Sequence, residues 1–141
     1  MMGSVQVVAG VLFHPNHPDW QFLGRRRSDP HRGAWEHPGG KVEIGETFQD
    51  ALAREWQEEI GISVTVSALP VGWYSDPDGR VHVSLYRVHL SGPVPLDHAL
   101  SRDGPAHDRF MFATLSQILE IPRDQRIPSL KTLARAADNL T

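Results

Sequence analysis

Three glutamates stand close together on one predicted helix, and their spacing is the strongest chemical signal in the sequence. Glu55, Glu58 and Glu59 occupy positions i, i+3 and i+4, so that their carboxylates share one helical turn. On a helical wheel counted from Phe48, Glu55 and Glu59 fall within roughly 20° of that apolar residue, and Glu58 falls at the edge of the apolar arc. The pattern therefore predicts carboxylates on the stripe that faces the core.

Three inward carboxylates need a partner for their charge. Removing an unpaired carboxylate from water costs several kcal/mol, and repulsion between neighbours adds to that cost. Either the pKa values of the acids rise so that the acids are protonated, or a divalent cation neutralises their charge. Arg54 offers only one positive charge in this turn. Because hard oxygen ligands suit Mg²⁺ or Mn²⁺, we predict a Mg²⁺ (or Mn²⁺) site, with a hydrated, salt-bridged helix edge as the alternative.

A glycine-rich segment just before this helix has the composition of a phosphate-binding loop. It contains Pro38, Gly39, Gly40 and Lys41 in succession. Glycine allows close approach of the backbone, and the lysine provides a point charge for a phosphate. Carboxylate-bound Mg²⁺ usually keeps coordination positions open for water and phosphate. The segment and the acidic helix together predict a site that acts on a phosphate compound.

Local signals predict the elements that position these groups. Thr47 can cap a helix that runs to about Ile60 and ends at Gly61. A C-terminal amphipathic helix is expected to begin at Pro128. Strand-like patterns cover six segments, at positions 5–13, 20–23, 63–69, 71–74, 81–90 and 110–113. The result is an α/β fold with short, largely non-parallel strands and two or three helices.

Composition limits the classes of protein that remain. With 141 residues, the chain has room for a single domain spanning 1–141. The absence of cysteine excludes a disulfide framework and a thiolate zinc site. A net charge of −3 argues against a nucleic-acid partner. The longest apolar stretch, at 7–13, is shorter than the roughly 18 residues that a membrane span needs, so we expect no membrane partner and a cytoplasmic location.

The stretch from Gly40 to Ile62 resembles the Nudix box, Gly-x5-Glu-x7-Arg-Glu-U-x-Glu-Glu-x-Gly-U, in which U is a bulky aliphatic residue. Trp56 is the one departure, because it is aromatic where an aliphatic residue is usual. The resemblance implies an α/β/α sandwich around a mixed β-sheet and hydrolysis of a nucleoside diphosphate linked to another moiety. The fixed positions are filled by Gly40, Glu46, Arg54, Glu55, Glu58, Glu59 and Gly61.

The resemblance also implies roles for individual residues. Glu55, Glu58 and Glu59 would hold the divalent cations, helped by the backbone carbonyl of Gly39. Glu55 is the leading candidate for deprotonating the attacking water. Arg54 would fix a neighbouring glutamate by ion pairing. The expected catalytic residues are thus Glu55, Arg54 and Glu58.

Residues 35–43 are similar to the corresponding run in MutT-like enzymes, which hydrolyse oxidised nucleoside triphosphates. His37 stands where that branch commonly has phenylalanine near the base pocket. A small-molecule nucleotide is the implied substrate. The resemblance implies that Arg25 and Arg26, on the strand before the box, and Lys41, in the glycine-rich segment, contact this substrate. It also implies that Asp124, near the C-terminus, recognises the base. The alternative for Asp124 is an acid that stabilises a turn.

Several alternatives stay open. The substrate can be 8-oxo-dGTP, or another nucleotide such as CTP, ADP-ribose or a dinucleoside polyphosphate. A non-catalytic nucleotide sensor is the alternative to an enzyme. Some relatives carry a further catalytic glutamate near the position of Ala106, where Asp103 or Asp108 would have to substitute. Many relatives form homodimers, which makes a homodimer possible here.

Overall fold

The computed structural model describes residues 4–92 and 104–140. Within them, no helix is long and apolar enough to cross a membrane. In chain order the elements are β1 (Val5–Val11), β2 (Phe13–His14), β3 (His17–Arg26), β4 (Trp35–Glu36), β5 (Gly39–Lys41), α1 (Phe48–Ile60), β6 (Val64–Val66), β7 (Gly72–Ser75), β8 (Val81–Leu90), β9 (His107–Ala113), α2 (Leu115–Leu119), a 3-10 turn (Arg123–Gln125) and α3 (Leu130–Asp138).

The strands form two sheets. The larger has five strands in the order β5-β1-β8-β6, and β7 also pairs with β8. Its long central pair, β1 and β8, is parallel, whereas the pairs formed by β5, β6 and β7 are antiparallel. The smaller sheet is antiparallel, with the order β2-β3-β4 and with β9 on β3. The predicted mixed α/β fold is confirmed.

Both faces of the larger sheet are covered by helices. Side chains alternate along a strand, so neighbouring residues of β1 face opposite sides. Val8 packs in one cluster with Leu52 and Trp56 of α1. Ala9 packs in a second cluster with Leu133 of α3. This alternation produces the expected α/β/α sandwich, and the smaller sheet packs against both α1 and α3.

The helix of the Nudix-like segment has the predicted bounds. The Thr47 hydroxyl accepts a hydrogen bond from the Asp50 backbone N–H at 3.1 Å, which satisfies one of the free donors of the first turn. Gly61 ends the helix in the left-handed region, with φ of 75°, and its N–H reaches back to the carbonyls of Gln57 and Trp56. Glycine reaches this conformation at little cost.

Other bounds differ from the prediction because pairing with distant strands extends or shifts them. β3 begins at His17 and continues to Arg26 because its second half pairs with β9, and β9 itself begins at His107. The predicted strands at 63–69 and 71–74 are realised as the short β6 and as β7, which ends at Ser75. Helix α2 was not predicted, and α3 begins at Leu130.

Candidate active site

Trp56 joins α1 to the glycine-rich segment. Its side chain is fully buried, and its Nε1–H donates to the carbonyl of Pro38 at 3.0 Å. The same carbonyl accepts a second hydrogen bond from the Gly10 N–H at 2.9 Å. Trp56, the aromatic residue at an aliphatic position of the box, therefore packs in the core and also forms a hydrogen bond that fixes the backbone just before Gly39.

Two glycines allow β5 to lie against β1 and α1. A Cβ atom at Gly39 would lie 1.8 Å from the Val8 carbonyl oxygen. A Cβ atom at Gly40 would lie 2.4 Å from the carboxyl carbon of Glu55. No side chain fits at either position without displacement of a neighbour. The Glu55 carboxylate therefore lies directly on the backbone of the glycine-rich segment.

The structure brings two of the three predicted carboxylates together. The Glu55 side chain is 14% exposed, and it shares a hydrogen bond with the partly buried Glu59. Burial raises the pKa of Glu59 far above its usual range, and the hydrogen bond to Glu55 and the negative charges of Glu55 and Glu36 raise it further. Glu58 is 59% exposed, so the expectation that all three acids face inward is wrong for this residue.

Arg54 organises the outer side of the acidic turn. Its Nε and Nη2 donate to the two carboxylate oxygens of Glu46, at 2.8 and 2.9 Å. Its Nη1 donates to Glu55 at 3.0 Å and to Glu58 at 3.2 Å. The contact with Glu58 is an i,i+4 pair, which holds that side chain on the exposed edge of the helix. The bonds from Arg54, with a backbone bond at Glu43, lower the pKa of Glu46 to about 2.

Replacing Glu46 with glutamine is expected to destabilise the protein near neutral pH but not in acid. Because the pKa of Glu46 in the folded protein is about 2 and its ordinary value is 4.5, the ion pair stabilises the fold above the ordinary value and loses this effect as the pH falls towards 2. Urea midpoints of Glu46→Gln and wild type should differ at about pH 6 and converge near about pH 2. Glu43→Gln, on a 69% exposed side chain 3.8 Å from Arg54, is the matched control. A constant difference at all pH values would contradict the ion-pair account.

A further carboxylate reaches the site from β4. Glu36 is 14% exposed, and its Oε2 lies 2.9 Å from Nε2 of the buried His107. Its Oε1 lies 3.4 Å from Nη1 of Arg26, and its charge contributes to the raised pKa of Glu59. Sequence reasoning assigned no role to Glu36 or His107. Glu36 could have been found from its place in the same glutamate-rich stretch, whereas His107 has no local signal.

The two predicted substrate arginines are each paired with an acid. Arg25 Nε donates to Asp108 Oδ1 at 2.8 Å, and this bond is the main cause of the lowered pKa of Asp108. Arg26 makes the longer contact with Glu36. Asp108, one candidate for a further catalytic acid, is thus engaged by Arg25. The other candidate, Asp103, lies outside the described residues.

Lys41 and Asp124 are both exposed side chains, on segments that precede and follow the acidic helix in sequence. Lys41 is exposed at the end of β5. Asp124 is exposed on the 3-10 turn, and two residues later the backbone of Arg126 pairs with that of Trp35. This pairing places the C-terminal segment beside β4, the strand that carries Glu36. Both residues are therefore accessible to a ligand.

The donors present fit a hard divalent cation. Glu55 and Glu59 offer carboxylate oxygens, and their mutual hydrogen bond requires a proton that a cation would replace. The charge of Arg26 offsets only part of the repulsion at Glu59. In the ranges 4–92 and 104–140, no group of three or more histidine, aspartate or glutamate side chains is placed to hold a metal ion, so Glu55 and Glu59 fit by the type of their donors and not by a complete set. Glu58 and the Gly39 carbonyl are the expected additional donors.

Comparison with known proteins agrees with this geometry. The NUDIX domain model matches residues 4–134. The chain is 38% identical over 87 residues to the 8-oxo-dGTP diphosphatase of Proteus vulgaris. The aligned stretch covers 60% of this chain and 76% of that protein. It is 33% identical over 91 residues to the CTP pyrophosphohydrolase of Escherichia coli strain K12. That alignment covers 63% of this chain and 64% of the relative.

The whole fold also has a counterpart among solved structures. The solution structure of the E. coli ORF135 protein matches with a TM-score of 0.73 and 26% sequence identity, over 99% of this chain and 91% of that one. The family match covers most of the chain and includes the acidic helix, the glycine-rich segment and both sheets. On these grounds the chain belongs to the NUDIX domain family and is a Nudix hydrolase.

Proposed function

We propose that the protein hydrolyses a nucleoside triphosphate to the nucleoside monophosphate and pyrophosphate, with 8-oxo-dGTP as the preferred substrate. The observation that carries the proposal is the hydrogen-bonded pair of partly buried acids, Glu55 and Glu59, in which the Glu55 carboxylate lies against the backbone of Gly40. The similarity to an 8-oxo-dGTP diphosphatase supports the choice of substrate.

CTP is the second candidate, and the state of His37 favours it. This side chain is buried, and its Nε2–H donates to the Gln21 side-chain oxygen at 2.8 Å. Burial lowers the pKa of His37 to about 3, so the ring is neutral. A ring held in this way offers no face to a purine, unlike the phenylalanine usual in MutT-like enzymes. The similarity to a CTP pyrophosphohydrolase points in the same direction.

Nudix hydrolases need a divalent metal, and Mg²⁺ or Mn²⁺ is the ion proposed here. Glu55, Glu58, Glu59 and the Gly39 carbonyl would hold it, and when bound it withdraws charge from the phosphate and lowers the pKa of a bound water. Glu55 would accept the proton of the attacking water. The hydrogen bond from Arg54 keeps one oxygen of Glu55 fixed during this transfer.

The remaining proposed residues bind the substrate. Lys41, exposed beside the glycine-rich segment, neutralises the phosphate chain as a point charge. Arg25 and Arg26 add positive charge from β3, each already oriented by its acidic partner. Asp124 would accept a hydrogen bond from the base, because an ionised carboxylate is an acceptor only.

A nucleotide panel tests the proposal. Purified protein is incubated with 8-oxo-dGTP, dGTP, CTP, ADP-ribose and a dinucleoside polyphosphate, in Mg²⁺ and in excess chelator, and the products are separated by chromatography. From the nucleoside triphosphates we expect monophosphate and pyrophosphate, with the highest kcat/KM for 8-oxo-dGTP and no turnover in chelator. A higher kcat/KM for CTP would select the second candidate. No turnover of any phosphoanhydride would refute both candidates and favour a nucleotide sensor.

A further inference from the structure

A second cleft lies between the end of β8 and the hairpin formed by β2 and β3. It has a volume of about 340 Å³ and is open to solvent. Its walls include Phe13 and His14 of β2 and residues 87–90 of β8, and we call it the β8 cleft. Of the described residues, none from α1 or β5 lines it, and none of those proposed to bind the metal or the substrate does so.

The β8 cleft is basic, although the chain as a whole is acidic. The chain has 17 acidic residues against 14 lysines and arginines, which gives a net charge of −3. The lining contains Arg87, His14 and His89, and none of the described residues that line it is an aspartate or a glutamate. A concave surface with positive charge and no carboxylate attracts anions. The ligand that fits this cleft by charge is therefore an anion.

Arg87 is oriented by an aromatic ring and not by an acid. Its guanidinium carbon lies 5.1 Å from the centroid of the Phe13 ring. It forms no ion pair with a carboxylate of the described residues, whereas Arg25, Arg26 and Arg54 are each paired with one. Contact with an aromatic face holds a guanidinium in place without cancelling its charge. Arg87 therefore keeps its charge and its N–H donors for a ligand in the cleft.

His14 and His89 add polar groups to the same cleft. The backbone N–H of Asn16 donates to Nδ1 of His14 at 3.0 Å, so in the neutral ring the hydrogen is on Nε2, which is then a donor. An edge contact with Phe112, at 4.8 Å between ring centroids, holds this ring. His89 lies two residues after Arg87 on β8, so the two side chains lie on one face of the strand.

The size and the other walls of the β8 cleft indicate the rest of the ligand. An inorganic phosphate, about the size of two or three water molecules of roughly 30 Å³ each, would fill only part of it. The volume lies at the lower end of the range for organic ligands, about 300–1,000 Å³. Apart from the basic side chains and Phe13, the lining is apolar and consists of Leu12, Pro15, Pro18, Val88 and Leu90. An oxyanion with several acceptor oxygens matches the donors, and an organic body matches the apolar walls.

We propose that the β8 cleft is a second ligand site, which binds a phosphate monoester of about the size of a nucleoside monophosphate. Arg87 binds the phosphate through its planar guanidinium, and His14 donates to the same group from Nε2. The organic body lies on the apolar walls. The choice of a nucleoside monophosphate rests on the proposed function, which releases one, whereas the site itself does not.

The first test titrates isotopically labelled protein with CMP in excess chelator and follows the backbone amide resonances. We expect saturable shifts at Phe13, His14 and Arg87, with a Kd on the order of 1 mM. Inorganic phosphate, which lacks the organic body, should bind more weakly, and cytidine, which lacks the phosphate, should leave these resonances unchanged. No shift at these residues, shifts confined to Gly39–Lys41, or the same shifts with cytidine would overturn the proposal.

The second test changes the charge of the β8 cleft. Arg87→Gln should raise the Kd for CMP about tenfold, because a charged donor that can bind two phosphate oxygens is lost. Arg135→Gln removes the same charge from an exposed position of α3, and as the matched control it should keep the wild-type Kd. A wild-type Kd in Arg87→Gln would overturn the proposal.

Because Arg87 also packs on Phe13, a second variant changes the cleft at a side chain that does not support the fold. His89 is exposed, and His89→Glu places a carboxylate in the cleft. We expect this variant to keep the wild-type Tm and to lose the CMP-dependent shifts at Phe13 and His14, since like charges repel. Undiminished shifts in His89→Glu would contradict a phosphate site.

These results are separable from the proposed function. A protein that hydrolyses no nucleotide but shows the CMP-dependent shifts at the β8 cleft would refute the proposed function and support the second site. A protein that hydrolyses nucleotides while CMP leaves the resonances of the β8 cleft unchanged would refute this inference alone.

Discussion

Glu59→Gln is expected to lower kcat by about a thousandfold and to leave the fold intact. The carboxylate of Glu59 is one of the two that the structure places together, and burial with the hydrogen bond to Glu55 raises its pKa above the usual range. Glutamine has the same shape and can still form a hydrogen bond with Glu55, but it cannot supply the negative charge that holds a divalent cation. The substitution therefore removes the charge needed to hold a cation and keeps the packing of the side chain.

The experiment compares kcat on the best nucleotide of the panel at saturating Mg²⁺, with circular dichroism and Tm in chelator as checks of folding. The Tm of Glu59→Gln should equal or exceed that of wild type, because glutamine keeps the hydrogen bond with Glu55 and needs no bound proton to do so. Glu120→Gln makes the same charge change after α2 and serves as the control, since the side chain of Glu120 is exposed and lies outside the site. A Glu59→Gln protein with nearly full activity would remove Glu59 from the metal site.

Gly39→Ala is expected to destabilise the fold by about 3 kcal/mol, because the new methyl group meets backbone and not a movable side chain. The Cβ atom would lie 1.8 Å from the Val8 carbonyl oxygen and 2.7 Å from the Ala9 Cα. Relief requires β5 to separate from β1, which breaks the pairing of Gly39 with Ala9. The same movement shifts the carbonyl proposed as a metal ligand, so activity should fall with stability.

Urea denaturation in chelator measures this effect without a contribution from metal binding. Gly92→Ala is the matched control, because no atom of the described residues lies within 4 Å of a Cβ atom there. It should leave the free energy of unfolding unchanged or raise it by up to about 1 kcal/mol, by restricting the unfolded chain. If Gly39→Ala unfolds at the same urea concentration as Gly92→Ala, β5 does not lie as close to β1 as described.

Elements with local signals were predicted well. Helix α1 ends where its capping residues indicated, because the Thr47 hydroxyl and the left-handed Gly61 act within a few residues of themselves. Strand β8 has its predicted bounds, Val81–Leu90, since an uninterrupted strand pattern follows a strong turn. Helix α2 was missed although its signal is local: Thr114 and Gln117 form a capping box.

The orientation of Glu58 shows where a helical wheel is insufficient. The wheel places this residue at the edge of the apolar arc, where either direction is available to a long side chain. The i,i+4 contact with Arg54, at 3.2 Å, holds it on the exposed side. Arg54 in turn is oriented by Glu46, eight residues earlier, whose position depends on the loop before the helix. A helical wheel shows only angular positions and includes neither the contact of Arg54 with Glu58 nor its contact with Glu46.

The sequence by itself determined the chemistry of the site, because covalent spacing on one helix places Glu55 and Glu59 in the same turn and sets the glycine-rich segment just before them. Tertiary structure alone decided which distant groups join them. His107 meets Glu36 across 71 residues, and Asp108 meets Arg25 across 83. Both contacts depend on the register between β3 and β9, which is set by packing of the whole smaller sheet, and no property of either residue's neighbours in sequence specifies that register.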